Sequence, residues 1–166
     1  DDRITELTYG ELRTRSDRFA SVLAALGVKR GERVFNLTGR IPELYVTAIG
    51  TLKGGAVFCP LFSVFGPEPV FQRLSRGDAR VLVTTSELYA RKVAPLLERL
   101  PGLRHVLLTD ADGDRDDRVR SLPRLMAAAP EAFAIVRTRP DDPALLHFTS
   151  GTTGMPRAPC MCIARW

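Results

Sequence analysis

The chain has 166 residues, 45% hydrophobic and 26% charged, with a formal net charge of +5. That length and balance suit one globular domain with a real core. The basic excess is scattered and interleaved with acids, as in Asp112-Gly113-Asp114-Arg115-Asp116-Asp117-Arg118, with no basic stripe among aromatics, which argues against a nucleic-acid partner. No apolar run is long enough to span a bilayer and no signal peptide begins at Asp1, so no membrane partner is expected. Asp1 is not Met, and the natural start is expected to lie upstream. Cys59, Cys160 and Cys162 lack zinc-type spacing, and the simplest setting is a reducing cytoplasm.

Thr8 with Glu11 three residues on makes a capping box. Leu12, Phe19, Val22, Leu23 and Leu26 then recur at helical spacing, and Gly27 can stop the helix. Residues 33–38 read as a strand, and Pro42 suits the first turn of a helix running to about Lys53. Residues 56–61 read as a buried strand, 67–76 as helix, 81–85 as strand, 86–100 as helix and 105–109 as strand. The polar, acidic segment 110–120 is expected to be a mobile loop, and 144–148 the last strand. Strands alternating with helices predict an α/β fold with a mostly parallel sheet flanked by helices.

That last strand delivers the most informative segment, His147-Phe148-Thr149-Ser150-Gly151-Thr152-Thr153-Gly154-Met155-Pro156-Arg157. Four hydroxyls and two glycines occupy the six residues from Thr149 to Gly154, and Arg157 closes the run. Glycine lets backbone amides approach a ligand closely. Hydroxyls and successive amides together form an anion-binding nest. The segment reads as a loop that grips a polyphosphate, placed where open α/β sheets bind ligands. It fits neither the Walker spacing nor the dinucleotide glycine pattern. His147 reads as a packed or hydrogen-bonded side chain at strand spacing, and Asp141-Asp142 before Pro143 as a solvated turn in preference to a metal pair.

The loop resembles the phosphate loop of the AMP-forming acyl-CoA synthetases and adenylation domains, Thr-Ser-Gly-Thr-Thr-Gly-x-Pro-Lys-Gly. Thr149 to Gly154 and Pro156 match in order, Arg157 stands at the family's Lys, and Ala158 replaces its final Gly. Upstream, Leu7-Thr8-Tyr9-Gly10-Glu11-Leu12, Gly27-Val28-Lys29-Arg30-Gly31-Glu32-Arg33-Val34 and Leu52-Lys53-Gly54-Gly55-Ala56-Val57 with Pro60-Leu61 are also similar to family segments. Pro60-Leu61-Phe62-Ser63-Val64-Phe65-Gly66 and Leu146-His147-Phe148-Thr149 look most like acetyl- and other short-chain acyl-CoA synthetases. A peptide-synthetase adenylation domain shares the loop and stands as an alternative.

The resemblance implies a partial N-terminal AMP-binding domain over residues 1–157 of an acid–thiol ligase. The implied substrates are ATP, CoA and a small carboxylate, with Mg²⁺ as cofactor. It implies nucleotide contacts from Thr149, Ser150, Gly151, Thr152, Thr153, Gly154 and Arg157, and gives no catalytic residue and no metal ligand within the chain. The family's ribose-binding Asp, adenine platform, acyl pocket and C-terminal lid come later. The polypeptide alone is therefore expected to be inactive, a non-catalytic phosphate-binding remnant at most, lacking the C-terminal part of its own fold.

Residues 158–166 depart from the family and are expected to be an aberrant tail that adds no ordered element covering the exposed apolar face of the sheet. In one compatible nucleotide series, a single G inserted after the Arg157 codon turns the tail into Gly-Ala-Val-His-Val-His-Arg-Ala-Val, close to the family's continuation. The expectation is a frameshifted reading. Sequencing the coding DNA past the Arg157 codon decides it, and a stop within a few codons of the restored frame would count against a simple indel.

Overall fold

The computed structural model describes residues 6–148 and the backbone of 160–162. Helix α1 (Tyr9–Ala25) begins at the expected capping box. The Thr8 hydroxyl accepts from the Glu11 amide at 3.2 Å, and the Glu11 carboxylate accepts from the Thr8 amide at 2.8 Å. Strand β1 (Arg33–Leu37) and helix α2 (Pro42–Lys53) follow, the helix with its proline in the first turn. Strand β2 (Val57–Pro60), helix α3 (Pro67–Arg76) and strand β3 (Ala79–Thr84) complete two β-α-β units. Helix α4 (Ser86–Lys92), strand β4 (His105–Leu108), strand β5 (Val119–Ser121), helix α5 (Leu122–Ala128), strand β6 (Pro143–Leu146) and strand β7 (Cys160–Cys162) come next.

The strands form one seven-stranded sheet in the order β5-β4-β3-β1-β2-β6-β7. All neighbouring pairs are parallel except β6 with β7. Strand β1 lies in the middle, so the chain winds to β2 on one side and returns to β3 on the other. Right-handed crossovers then place α2 and α3 on opposite faces. The side-chain period of two divides the core accordingly. Val34, Val81, Val83 and Leu107 pack with Phe19, Val22, Leu23 and Val46 from α1 and α2. Phe35, Leu82, Val106 and Leu108 pack with Val70 and Leu74 from α3 and Tyr89 from α4. Burial on both faces explains why these strands read as apolar runs.

Helices α1 and α2 touch at Gly50. A Cβ there would stand 2.7 Å from the Ser16 carbonyl oxygen and 2.8 Å from Phe19 Cδ1. Beside this contact Lys53 Nζ donates to Asp17 Oδ1 at 2.7 Å and to Ser16 Oγ at 2.8 Å, with the ion pair nearly buried.

Two expectations are corrected, and one helix was not foreseen. The helix foreseen over 86–100 stops at Lys92, and a 3-10 turn (Ala94–Arg99) replaces its second half. Pro95 accounts for the break, because its ring and missing amide cannot continue an α-helix. Segment 110–120 is tied down and ends in β5. Asp116 Oδ1 accepts the Arg118 and Val119 amides at 2.8 and 2.7 Å, and Asp114 Oδ1 accepts the Ser121 amide at 2.8 Å. The Arg118 guanidinium caps the carbonyls of Leu97, Leu100 and Leu103. Helix α5 was not foreseen, although Ser121 as N-cap and Pro123 in the first turn signal it. Within 158–166 the structure describes the backbone of strand β7 alone. Strand β7 pairs antiparallel with β6, with Leu146 opposite Cys160, because the outer edge of β6 offers unpaired backbone groups to any short extended segment.

Two predictions follow from this packing. Gly50→Ala should lower unfolding stability by about 1–3 kcal/mol, the usual cost of forcing atoms into a filled contact; urea denaturation measures it, and an unchanged midpoint would contradict the close crossing. His105 gives the second. Burial lowers its pKa from the ordinary 6.5, and the ring's hydrogen bond to the Leu26 backbone only partly opposes this. The folded state therefore prefers neutral imidazole. Its contribution is complete above pH 6.5 and lost as pH falls through the depressed folded value. His105→Gln should flatten the decline in stability that the wild type shows as pH drops below neutral, before carboxylates titrate. Parallel curves for the two proteins would contradict it.

Candidate functional site

The parallel strands β1, β2 and β6 aim their carboxyl ends the same way, and a cavity of about 340 Å³ opens there. Its walls come from the turn after β1 (Thr38 and Arg40), the loop after β2 (Phe62, Ser63 and Val64) and His147 after β6. The turn after β1 is fixed by a buried polar chain. Asn36 Nδ2 donates to Thr47 Oγ1 at 2.9 Å, and Thr38 Oγ1 donates to Asn36 Oδ1 at 2.7 Å. The Asn36 carbonyl also accepts the Leu61 amide at 2.8 Å, which sets where the loop after β2 begins.

That second loop is held from below. Lys92 on α4 is buried and its ammonium donates to the carbonyls of Ser63 and Phe65. Phe62 and Phe65 meet edge to face with centroids 5.5 Å apart. Phe62 and Val64 nevertheless remain 65% and 87% exposed, so the cavity has an apolar rim. Arg40 is exposed and supplies a fixed positive charge, and Thr38 and Ser63 supply hydroxyls. The combination suits a ligand with an anionic group and an apolar body.

The residues singled out for phosphate contact, Thr149, Ser150, Gly151, Thr152, Thr153, Gly154 and Arg157, lie outside the described residues. The structure does describe their approach. Strand β6 pairs with β2 through Leu145 opposite Phe58, and His147 and Phe148 leave its carboxyl end. His147 is half-buried on the cavity wall. Asp142 belongs to a turn. Its carboxylate accepts the Arg139 amide at 2.5 Å and pairs with Arg30, and these contacts hold its pKa below the usual carboxylate value. Among the described residues no group of three His, Cys, Asp or Glu converges on one point. Cys59 is buried on β2 within the core. Sequence reading missed Thr38, Arg40 and Ser63. Their only signal is position, just beyond the carboxyl ends of parallel strands.

The profile of the family described as AMP-binding enzyme matches residues 1–161, which reaches into the segment set apart as a tail. The acetyl-coenzyme A synthetase of Bacillus subtilis (strain 168) is 35% identical over 156 residues, covering 93% of this chain and 27% of that protein. The mitochondrial acyl-coenzyme A synthetase ACSM4 of Rattus norvegicus is 31% identical over 151 residues, covering 90% of this chain and 26% of its own length. Among solved structures, the acyl-CoA synthetase of Brucella canis superposes with a TM-score of 0.85 at 29% identity, over 98% of this chain and 29% of that one. The chain thus spans about a quarter of the length of the curated relatives it matches. Sequence and fold agree, and the chain belongs to the family of AMP-binding enzymes.

Proposed function

We propose that this chain is the phosphate-receiving N-terminal part of an AMP-forming acid–thiol ligase that activates acetate or another short-chain carboxylate. The observation that carries the reading is the ordered match from Thr149 to Gly154 and at Pro156, in a chain that enters this segment from the carboxyl end of β6 beside the cavity. In the reaction, a carboxylate oxygen of the acid attacks the α-phosphorus of ATP. The bond to the bridging oxygen breaks, and pyrophosphate leaves. The CoA sulfur then attacks the acyl carbon of the adenylate, AMP departs, and the thiol proton is released.

In this reading the chain's own groups act on the leaving side. Thr149, Ser150, Thr152 and Thr153 donate hydroxyl and amide hydrogens to the β- and γ-phosphates, Gly151 and Gly154 allow close approach, and Arg157 adds fixed charge. Arg157 offers a planar fork where the family has a point charge. Mg²⁺ would share the triphosphate's charge. The described residues do not themselves assemble a site for it. The reading groups residues 1–157 in one AMP-binding unit, treats 158–166 as an aberrant end of it, and places the protein in the cytoplasm. No helix among the described residues is long and apolar enough to cross a membrane.

By itself the 166-residue polypeptide should bind ATP weakly and catalyse no ATP–pyrophosphate exchange with acetate. Arg157→Gln should weaken ATP binding about tenfold, the loss of one charge-assisted hydrogen bond of about 1.5 kcal/mol, with thermal stability unchanged. Calorimetric titration and exchange assays check both points. Equal ATP affinity in the variant would remove Arg157 from the site, and exchange clearly above a no-protein control would overturn the inactivity.

A further inference from the structure

A second cavity, of about 390 Å³, lies between α1, the start of α2, and α5. Val46 of α2 and Leu122 and Met126 of α5 give it an apolar side. Thr109, the first residue after β4, adds a hydroxyl. Residues three apart on a helix share a face, and α1 brings both Arg15 and Arg18 to this cavity. Apolar walls with a few convergent polar groups are the composition of small-molecule sites, and the size falls within their range of about 300–1,000 Å³.

The two guanidiniums are not equivalent. Arg15 Nη2 donates to Glu43 Oε1 at 2.7 Å, and Glu43 lines the same cavity, so these two charges offset each other there. Arg18 Nη2 pairs instead with Glu131, whose side chain is 70% exposed. The Arg18 Nε is buried and has no hydrogen-bond partner among the described residues. Nε and Nη2 form one edge of a guanidinium, with parallel N–H bonds that a carboxylate takes with its two oxygens. Glu131 takes one prong of that edge through Oε1 and leaves the buried prong empty. A buried donor without an acceptor is costly and calls for an explanation. An ion pair to so exposed a carboxylate is held only weakly against water, so Glu131 is readily replaced.

We propose that this cavity binds a small monocarboxylate with an apolar body. The carboxylate takes the Nε–Nη2 edge of Arg18 in place of Glu131, and the body lies against Val46, Leu122 and Met126. The Glu43 carboxylate on the wall disfavours a dianion such as phosphate, because like charges brought together repel. Binding here needs nothing of the nucleotide segment and does not rest on the function proposed above.

The probe is sodium benzoate, with benzyl alcohol as its uncharged analogue and inorganic phosphate as an anion without an apolar body. Amide chemical shifts of the isotopically labelled 166-residue chain are followed in titrations at constant ionic strength. Benzoate should shift Thr109 and the α5 amides from Leu122 to Ala127 saturably. Benzyl alcohol and phosphate should bind about tenfold more weakly or worse, and Arg18→Gln should weaken benzoate by about tenfold, the loss of a charge-assisted hydrogen bond. Arg18→Lys should recover only part of this, because an ammonium has no two-pronged edge. Glu131→Gln removes the competing carboxylate and should tighten benzoate by about threefold, the size of one exposed ion pair. A merely structural Arg18–Glu131 pair predicts no such gain. Where Arg18→Gln fails to fold, Glu131→Gln, at an exposed side chain, carries the test. No saturable shift at these amides, a Glu131→Gln variant that binds benzoate no more tightly than the wild type, or benzyl alcohol or phosphate binding as tightly as benzoate would each overturn the assignment. So would shifts confined to Thr38, Ser63 and His147.

Discussion

The buried side chain of Asn36 is the contact on which the candidate site depends. It sits next to last on the central strand at 1% exposure, a degree of burial that apolar residues usually take. Its amide bonds Thr47 on α2, its carbonyl oxygen receives the Thr38 hydroxyl, and its backbone oxygen receives the Leu61 amide. Two cavity walls are thus referred to one residue. An unpaired amide in this place would cost about 1–3 kcal/mol, and no local rearrangement could satisfy it without moving Thr38 or Thr47. Buried polar groups that are fully paired fix one arrangement more sharply than apolar packing does.

The rest of the molecule divides its work along the sheet. At the amino ends and on both faces, apolar alternation and ion pairs such as Lys53 with Asp17 hold the layers together. At the carboxyl ends the chain keeps side chains that packing alone would not select: exposed Phe62 and Val64, the basic Arg40, and the buried Lys92 that donates to the backbone carbonyls of Ser63 and Phe65. Long basic side chains that run under a loop in this way fix its height over the sheet. Arg118 does the same for the chain between the 3-10 turn and β4. In both cases one flexible cation satisfies several carbonyls that no strand or helix could reach.

Much of the fold was legible in the sequence because local and tertiary signals agreed. The capping box at Thr8 and the proline at 42 announced helix starts, and apolar runs announced buried parallel strands. Legibility failed where a single residue acted over distance. Pro95 ended a helix whose pattern otherwise continued, and the acids at 114 and 116 looked solvated although each accepts backbone amides. Strand β7 was missed because its pairing comes from the free edge of β6, not from any strong pattern of its own. For the site, the sequence carried the order of the Thr-Ser-Gly segment and the strand that leads into it. It could not bring Arg40, Ser63 and His147 to one cavity, since that requires the strand order.

The central claim is that the carboxyl ends of β1, β2 and β6, with the segment after Phe148, receive the phosphates of ATP. Amide chemical-shift mapping of the isotopically labelled chain during titration with ATP tests it most directly. The account predicts shifts concentrated at Thr149–Gly154, with weaker ones at Thr38 to Arg40, Ser63 and His147, and no comparable response to adenosine. Shifts confined to the α1–α2 face around Arg13 and Lys53, or an equal response to adenosine and ATP, would contradict it.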